Sequence, residues 1–122
     1  MPEQIVKYCH DTNQPVPEQP GPMCRTILES LARTYKKVLD MLERLTGRRI
    51  ETIHIVGGGS RNQLLNQLTA DTTGRVVIAG PSEATAAGNV LVQAIGSGTI
   101  SGLEEARDVI RRSFPPQSFF PR

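Results

Sequence analysis

The chain has 122 residues, one domain's length, and only 38% of them are hydrophobic, which predicts a modest core. With 14 Lys and Arg against 12 Asp and Glu, the net charge of +2 excludes electrostatics as the main basis for binding nucleic acid or membrane. No apolar run reaches membrane-spanning length, Met1-Pro2-Glu3-Gln4 carries no secretory signal pattern, and Cys9 and Cys24 alone make no disulfide scaffold.

In chain order, residues 1–22 read as a proline-rich arm. Ile5 to Cys9 fits either a short helix or an extended piece, and Pro15, Pro17, Pro20 and Pro22 punctuate a loop after it. From Met23 to Thr46, apolar residues recur at three- and four-residue steps (Ile27, Leu28, Leu31, Tyr35, Val38, Leu39, Leu42, Leu45), which predicts a long amphipathic helix ending at Gly47. Arg33, Lys36, Lys37 and Arg44 fall on its solvated side. Ile50 to Val56 is short and β-branched and ends in Gly57-Gly58-Gly59, so it reads as a strand.

Ser60 with Gln63 fits a capping box, opening a helix with Leu64, Leu65 and Leu68 on its buried stripe and a stop at Gly74. Arg75 to Ala79 is a second strand, ended by Gly80-Pro81. Ser82-Glu83 opens a helix whose inner face is small: Ala84, Ala86, Ala87 and Gly88. Ser101 with Glu104 fits a second capping box, for a helix reaching Arg112. Residues 114–122 read as an extended tail. Helices alternating with strands predict an α/β fold with helices packed on a small sheet, and two strands are few for a sheet by themselves.

The sharpest local feature is the strand, the three glycines and the helix start that follows. Glycines let a ligand approach the backbone with no Cβ in the way, and a helix start offers unpaired N–H groups. The spacing matches neither a P-loop nor a dinucleotide fingerprint. The turn serves either tight strand-to-helix packing or ligand binding. His54, between two isoleucines, reads as a structural histidine. Asp71 reads as a brace for Gly74 or a cap, and Glu83 as a carboxylate suited to a helix dipole. No paired carboxylates, Ser-His-Asp set or metal cluster emerges, so no catalytic residue and no metal ligand is assigned in this chain. The two cysteines are expected to be free thiols.

The run Ile53 to Asp71, with its Gly-Gly-Gly-Ser-Arg-Asn-Gln-Leu-Leu-Asn-Gln-Leu core, resembles the C-terminal nucleotide-binding lobe of the FGGY family of carbohydrate kinases. Ala79 to Asn89, Ile27 to Leu31 and Thr46 to Arg49 support the resemblance, which runs from about Ile5 to Phe114. It implies that residues 23–113 are part of an actin-like, ribonuclease-H-like ATPase lobe. It implies ATP with Mg2+ as cofactors, a sugar hydroxyl as phosphoryl acceptor and a cytoplasmic enzyme. Gly57, Gly58 and Gly59 would lie against ATP, with Gly58 the central contact, and Asn62 near the adenine. The helix around Ala84 to Gly88 would be a packing element. The family's sugar-binding lobe, its Asp-Gly-Thr-type phosphate turn and its catalytic aspartate are not among these residues, so the rest of the kinase is an implied partner and the chain alone is expected to be inactive. A non-catalytic Rossmann-like nucleotide-binding or interaction module is the competing expectation.

Overall fold

The computed structural model describes residues Met1–Arg122. Helix α1 spans Pro2–Asp11 and buries Cys9, so Ile5 to Cys9 is helical. Helix α2 spans Pro20–Thr46, about 40 Å at 1.5 Å per residue. It starts three residues before the apolar periodicity suggests, because Pro20 and Pro22 sit in a first turn, where a missing N–H costs no helical bond. Exposed pairs one turn apart, Arg25 with Glu29 and Lys36 with Asp40, brace its outer side. Gly47 ends it in the left-handed conformation, φ 63°, its N–H donating to the Glu43 carbonyl at 2.9 Å.

Strand β1 (Thr52–Ile55) and strand β2 (Val76–Ala79) pair in parallel, with helix α3 (Gln63–Thr73) as the crossover between them. A third strand, β3 (Gln117–Phe119), lies antiparallel to β2, with Phe119 opposite Val77 and Gln117 opposite Ala79. The tail expected to be merely extended therefore supplies the strand that two-strand patterning lacks. The sheet order is β1-β2-β3. Ala70, Val77, Ala79 and Phe119 form its buried cluster, and Ile53 and Ile55 pack against it. α2 lies along α3, and α3 packs on β2 and β3.

Helices α4 (Ala84–Gly96) and α5 (Leu103–Ser113) pack on each other and border the other face of β1, at His54 and Val56. The small face of α4 is not buried: no residue of that helix is. The α5 capping box is displaced by one residue. The N-cap is Gly102, and the Ser101 N–H and Oγ both donate to Glu105 Oε2, at 2.8 and 2.7 Å, while Glu104 pairs with Arg107. The Ser101 N–H, then its hydroxyl, hold the Glu105 carboxyl below its ordinary pKa.

A polar junction ties the α2 end to β2. Glu43 Oε1 accepts from the Ile50 N–H at 2.8 Å and from Arg75 Nη2 at 3.0 Å. The Ile50 N–H first, then Arg75, lowers the Glu43 pKa.

Candidate functional site

The site is built where β1 runs out. Gly57 has φ 80° and ψ −168°, a conformation that L side chains rarely adopt. It is Gly57, rather than Gly58, that the backbone requires as glycine. Its N–H donates to the Pro81 carbonyl at 2.9 Å, while the Gly80 N–H donates to the Ile55 carbonyl at 2.7 Å. The loops that follow β1 and β2 are thereby stitched together. Gly80 is needed for this approach, since a Cβ there would stand 2.9 Å from Val56 Cγ1.

Residues Gly58–Arg61 then form one 3-10 turn rather than the start of α3. The Ser60 N–H and Oγ both donate to the Gly57 carbonyl, at 3.0 and 2.7 Å, so Ser60 closes the turn and does not cap the helix. The cap is Asn62, whose Oδ1 accepts from the Leu65 N–H at 3.0 Å. Asn66 is fully buried one turn further on, and its Nδ2 donates to the Ser60 carbonyl at 2.8 Å. The sequence reading missed Asn66. Its signal was a polar residue on the buried stripe of α3, which is Leu65, Asn66, Thr69, Ala70 and Thr73; Leu64 is exposed.

The hydrogen bonds of the turn leave a definite remainder. Gly57, Ser60 and Asn62 donate their N–H groups within the chain, and the N–H groups of Gly58 and Gly59 donate to nothing. Both residues are exposed, and a Cβ at either would meet no atom within 4 Å. Two adjacent amide donors thus face open space with no side chain in front of them. Arg61 stands beside them, with Nη2 at 3.1 Å from both Ser82 Oγ and Glu83 Oε1. A polar cleft of about 440 Å³ starts beside the two glycines, at Ser60 and Arg61, and runs past Gly80 and Ser82 to the tail. Backbone N–H groups without partners are free to donate to an acceptor-rich ligand. No Asp, Glu or His side chain lines the cleft.

The other residues singled out in the sequence fall elsewhere. His54 is exposed rather than internally satisfied, and borders a groove of about 750 Å³ with α4 and α5. Asp71 braces the tail instead of Gly74: its Oδ1 accepts from Gln67 Nε2 at 2.8 Å and from the Arg122 N–H at 3.1 Å. Glu83 sits just before α4 without capping it and pairs with Arg61. Both cysteines are free thiols, Cys9 buried and Cys24 exposed. No three His, Cys, Asp or Glu side chains gather closely enough to hold a metal ion. No helix is long and apolar enough to cross a membrane.

The glycine turn closes a parallel strand, is stitched to the loop after β2, and leads into a helix capped by Asn62. The model of the C-terminal domain of the FGGY family of carbohydrate kinases matches residues 2–97, and the chain belongs to that family. Within it, the chain is similar to rhamnulokinases. It is 51% identical over 122 residues to that of Bacteroides thetaiotaomicron, 45% identical over 122 residues to that of Bacillus subtilis, and 48% identical over 118 residues to that of Enterococcus faecalis. These matches cover 100%, 100% and 95% of the chain and 25%, 25% and 24% of the relatives, so the chain spans about a quarter of their length.

Proposed function

We propose that this chain is the nucleotide-holding C-terminal quarter of a rhamnulokinase, an enzyme that moves the γ-phosphoryl of ATP to L-rhamnulose and yields L-rhamnulose 1-phosphate. The observation that carries this reading is the pair of unspent N–H donors at Gly58 and Gly59, at the end of β1. Gly57 supplies the bend that aims them, and Gly59 and Gly58 keep the approach clear for phosphate or ribose oxygens. Asn62 spends its Oδ1 on the cap, and its Nδ2 has no partner in the chain. That leaves an amide donor for an adenine ring nitrogen.

Phosphoryl transfer is mostly positioning and charge stabilisation, and this chain's share is to position the donor nucleotide. No three carboxylate, His or Cys side chains gather here, so Mg2+ would be held by the ATP phosphates and by the remainder of the kinase, where it would neutralise phosphate charge. The remainder also binds the sugar and supplies the base that accepts its proton. A cytoplasmic location agrees with use of ATP.

The test uses a complete kinase in which this chain forms the C-terminal quarter. At Gly58 the backbone is not left-handed and a Cβ meets nothing, so Gly58→Val folds and blocks only the ligand's approach. Calorimetric titration with a non-hydrolysable ATP analogue is expected to show more than tenfold weaker binding, or about 1.4 kcal/mol. Affinity for the sugar is expected to hold. A folded variant with unchanged nucleotide affinity overturns the reading, as does ADP release above blank by the 122-residue chain alone with Mg-ATP and L-rhamnulose.

A further inference from the structure

The family match ends at residue 97, yet the similarity to the Bacteroides rhamnulokinase continues through the whole chain. The segment beyond the family model is α5 and the tail, and the structure gives that tail firm anchors. Phe119 is buried in the sheet cluster, Gln67 Nε2 donates to the Phe120 carbonyl at 2.8 Å, and the Arg122 N–H donates to Asp71 Oδ1 at 3.1 Å. Gln67 and Asp71 lie on α3, the helix that begins at the glycine turn.

This anchoring builds a wall. The polar cleft beside the turn is lined from three places in the chain: Ser60, Arg61 and Gln63; Ala79–Ser82; and Ser113, Phe114, Pro115 and Gln117. In β3 the side chains alternate, so Gln117 shares the face of Phe119, which is the face packed on α3. That direction brings Gln117 toward the start of α3, where Gln63 stands. Both residues line the cleft, and neither side-chain amide makes a hydrogen bond within the chain. A carboxamide offers a donor beside an acceptor, the pattern that the edge of an adenine also presents. The other large grooves of the molecule are lined mainly by apolar side chains; the one between α1 and α2 also holds Gln4 and Gln14, but Gln14 Nε2 already donates to Thr12 Oγ1.

We propose that the tail segment Ser113–Gln117 is the outer wall of the nucleotide cleft, and that Gln117, together with Gln63, recognises the base of a purine nucleoside triphosphate. The proposal rests on the nucleotide reading above and deepens it: the glycine turn holds phosphate and ribose oxygens, and the tail, with Asn62, reads the base. Loss of one hydrogen bond to the base is expected to weaken binding about three- to tenfold.

The experiment compares Gln117→Ala and Gln63→Ala in the complete kinase with Ser118→Ala, a change on the other face of β3. Both glutamine variants are expected to raise the KM for ATP about three- to tenfold, leaving kcat and the sugar KM within about twofold. Inhibition by inorganic tripolyphosphate, which has no base, is expected to be unchanged, as is every parameter of Ser118→Ala. Equal weakening of ATP and tripolyphosphate would mean that the tail only props the turn, and would overturn the proposal. An unchanged ATP KM in Gln117→Ala beside weakened binding in Gly58→Val would overturn it too, leaving the nucleotide reading intact. Unchanged nucleotide affinity in Gln117→Ala, Gln63→Ala and Gly58→Val alike would remove both.

Discussion

The two faces of the sheet are occupied very differently. On one face, α3 buries five residues and meets α2, β2 and β3. On the other, α4 runs for 13 residues without a charged side chain and buries none of them, and α5 buries only Ala106. Val90 and Val92 stay 65% and 64% exposed. An uncharged, exposed helix is a sequence shaped by neighbours outside this chain. The α3 face is a finished core, whereas the α4 face stays open, and the relatives are about four times as long as this chain. The contrast shows where the sequence is self-sufficient.

The strongest way to break the contrast is at the finished face. Phe119→Ala removes the one aromatic ring in the buried cluster and is expected to cost about 3 kcal/mol in urea unfolding of the chain. A loss below about 1 kcal/mol would show that β3 is an appendage rather than part of the core. A smaller effect, confined to acid, is expected at the Glu43 junction. The folded-state pKa of Glu43 is lowered, so its contribution is present above the ordinary carboxylate value of 4.5 and is lost as the pH falls through the lowered one. In Glu43→Gln the acid decline of the urea midpoint should be shallower; identical slopes would remove the junction from the account of stability.

The smallest effect is expected on the open face. Val92→Ser should change the stability of the chain by no more than about 0.5 kcal/mol, because the side chain is already in water. The same substitution in a complete kinase is expected to cost more than it does in the chain. Equal costs in both settings would mean that α4 stays uncovered in the complete enzyme, and the contrast between the faces would lose its meaning.

What was legible in the sequence follows the range of the forces involved. α2, α3, β1 and β2 were legible because their periodicities and glycine stops are local. β3 was not, since Gln117-Ser118-Phe119 is three residues long and becomes a strand only by pairing with β2, some forty residues away. The Ser60 capping box misled for a related reason. Ser-x-x-Gln satisfies the local pattern, but the Ser60 hydroxyl is taken by the Gly57 carbonyl, and the helix waits two residues for Asn62. The three glycines marked the position of the turn; their division of labour, with Gly57 bending and Gly58 and Gly59 left with free donors, needed the backbone angles. Asp71 read as a brace for Gly74 or a cap, and the true partners of Asp71 and Gln67 were hidden because the chain they hold returns from its far end.

The two thiols differ in a way that turns the molecule into its own instrument. Cys24 is exposed near the start of α2, and Cys9 is only 6% exposed on α1. A maleimide dye offered to the native chain therefore finds one address, on the long helix, with no engineered cysteine and no protection chemistry. The second address opens only when α1 lifts away, so the arrival of a second label times the departure of that helix.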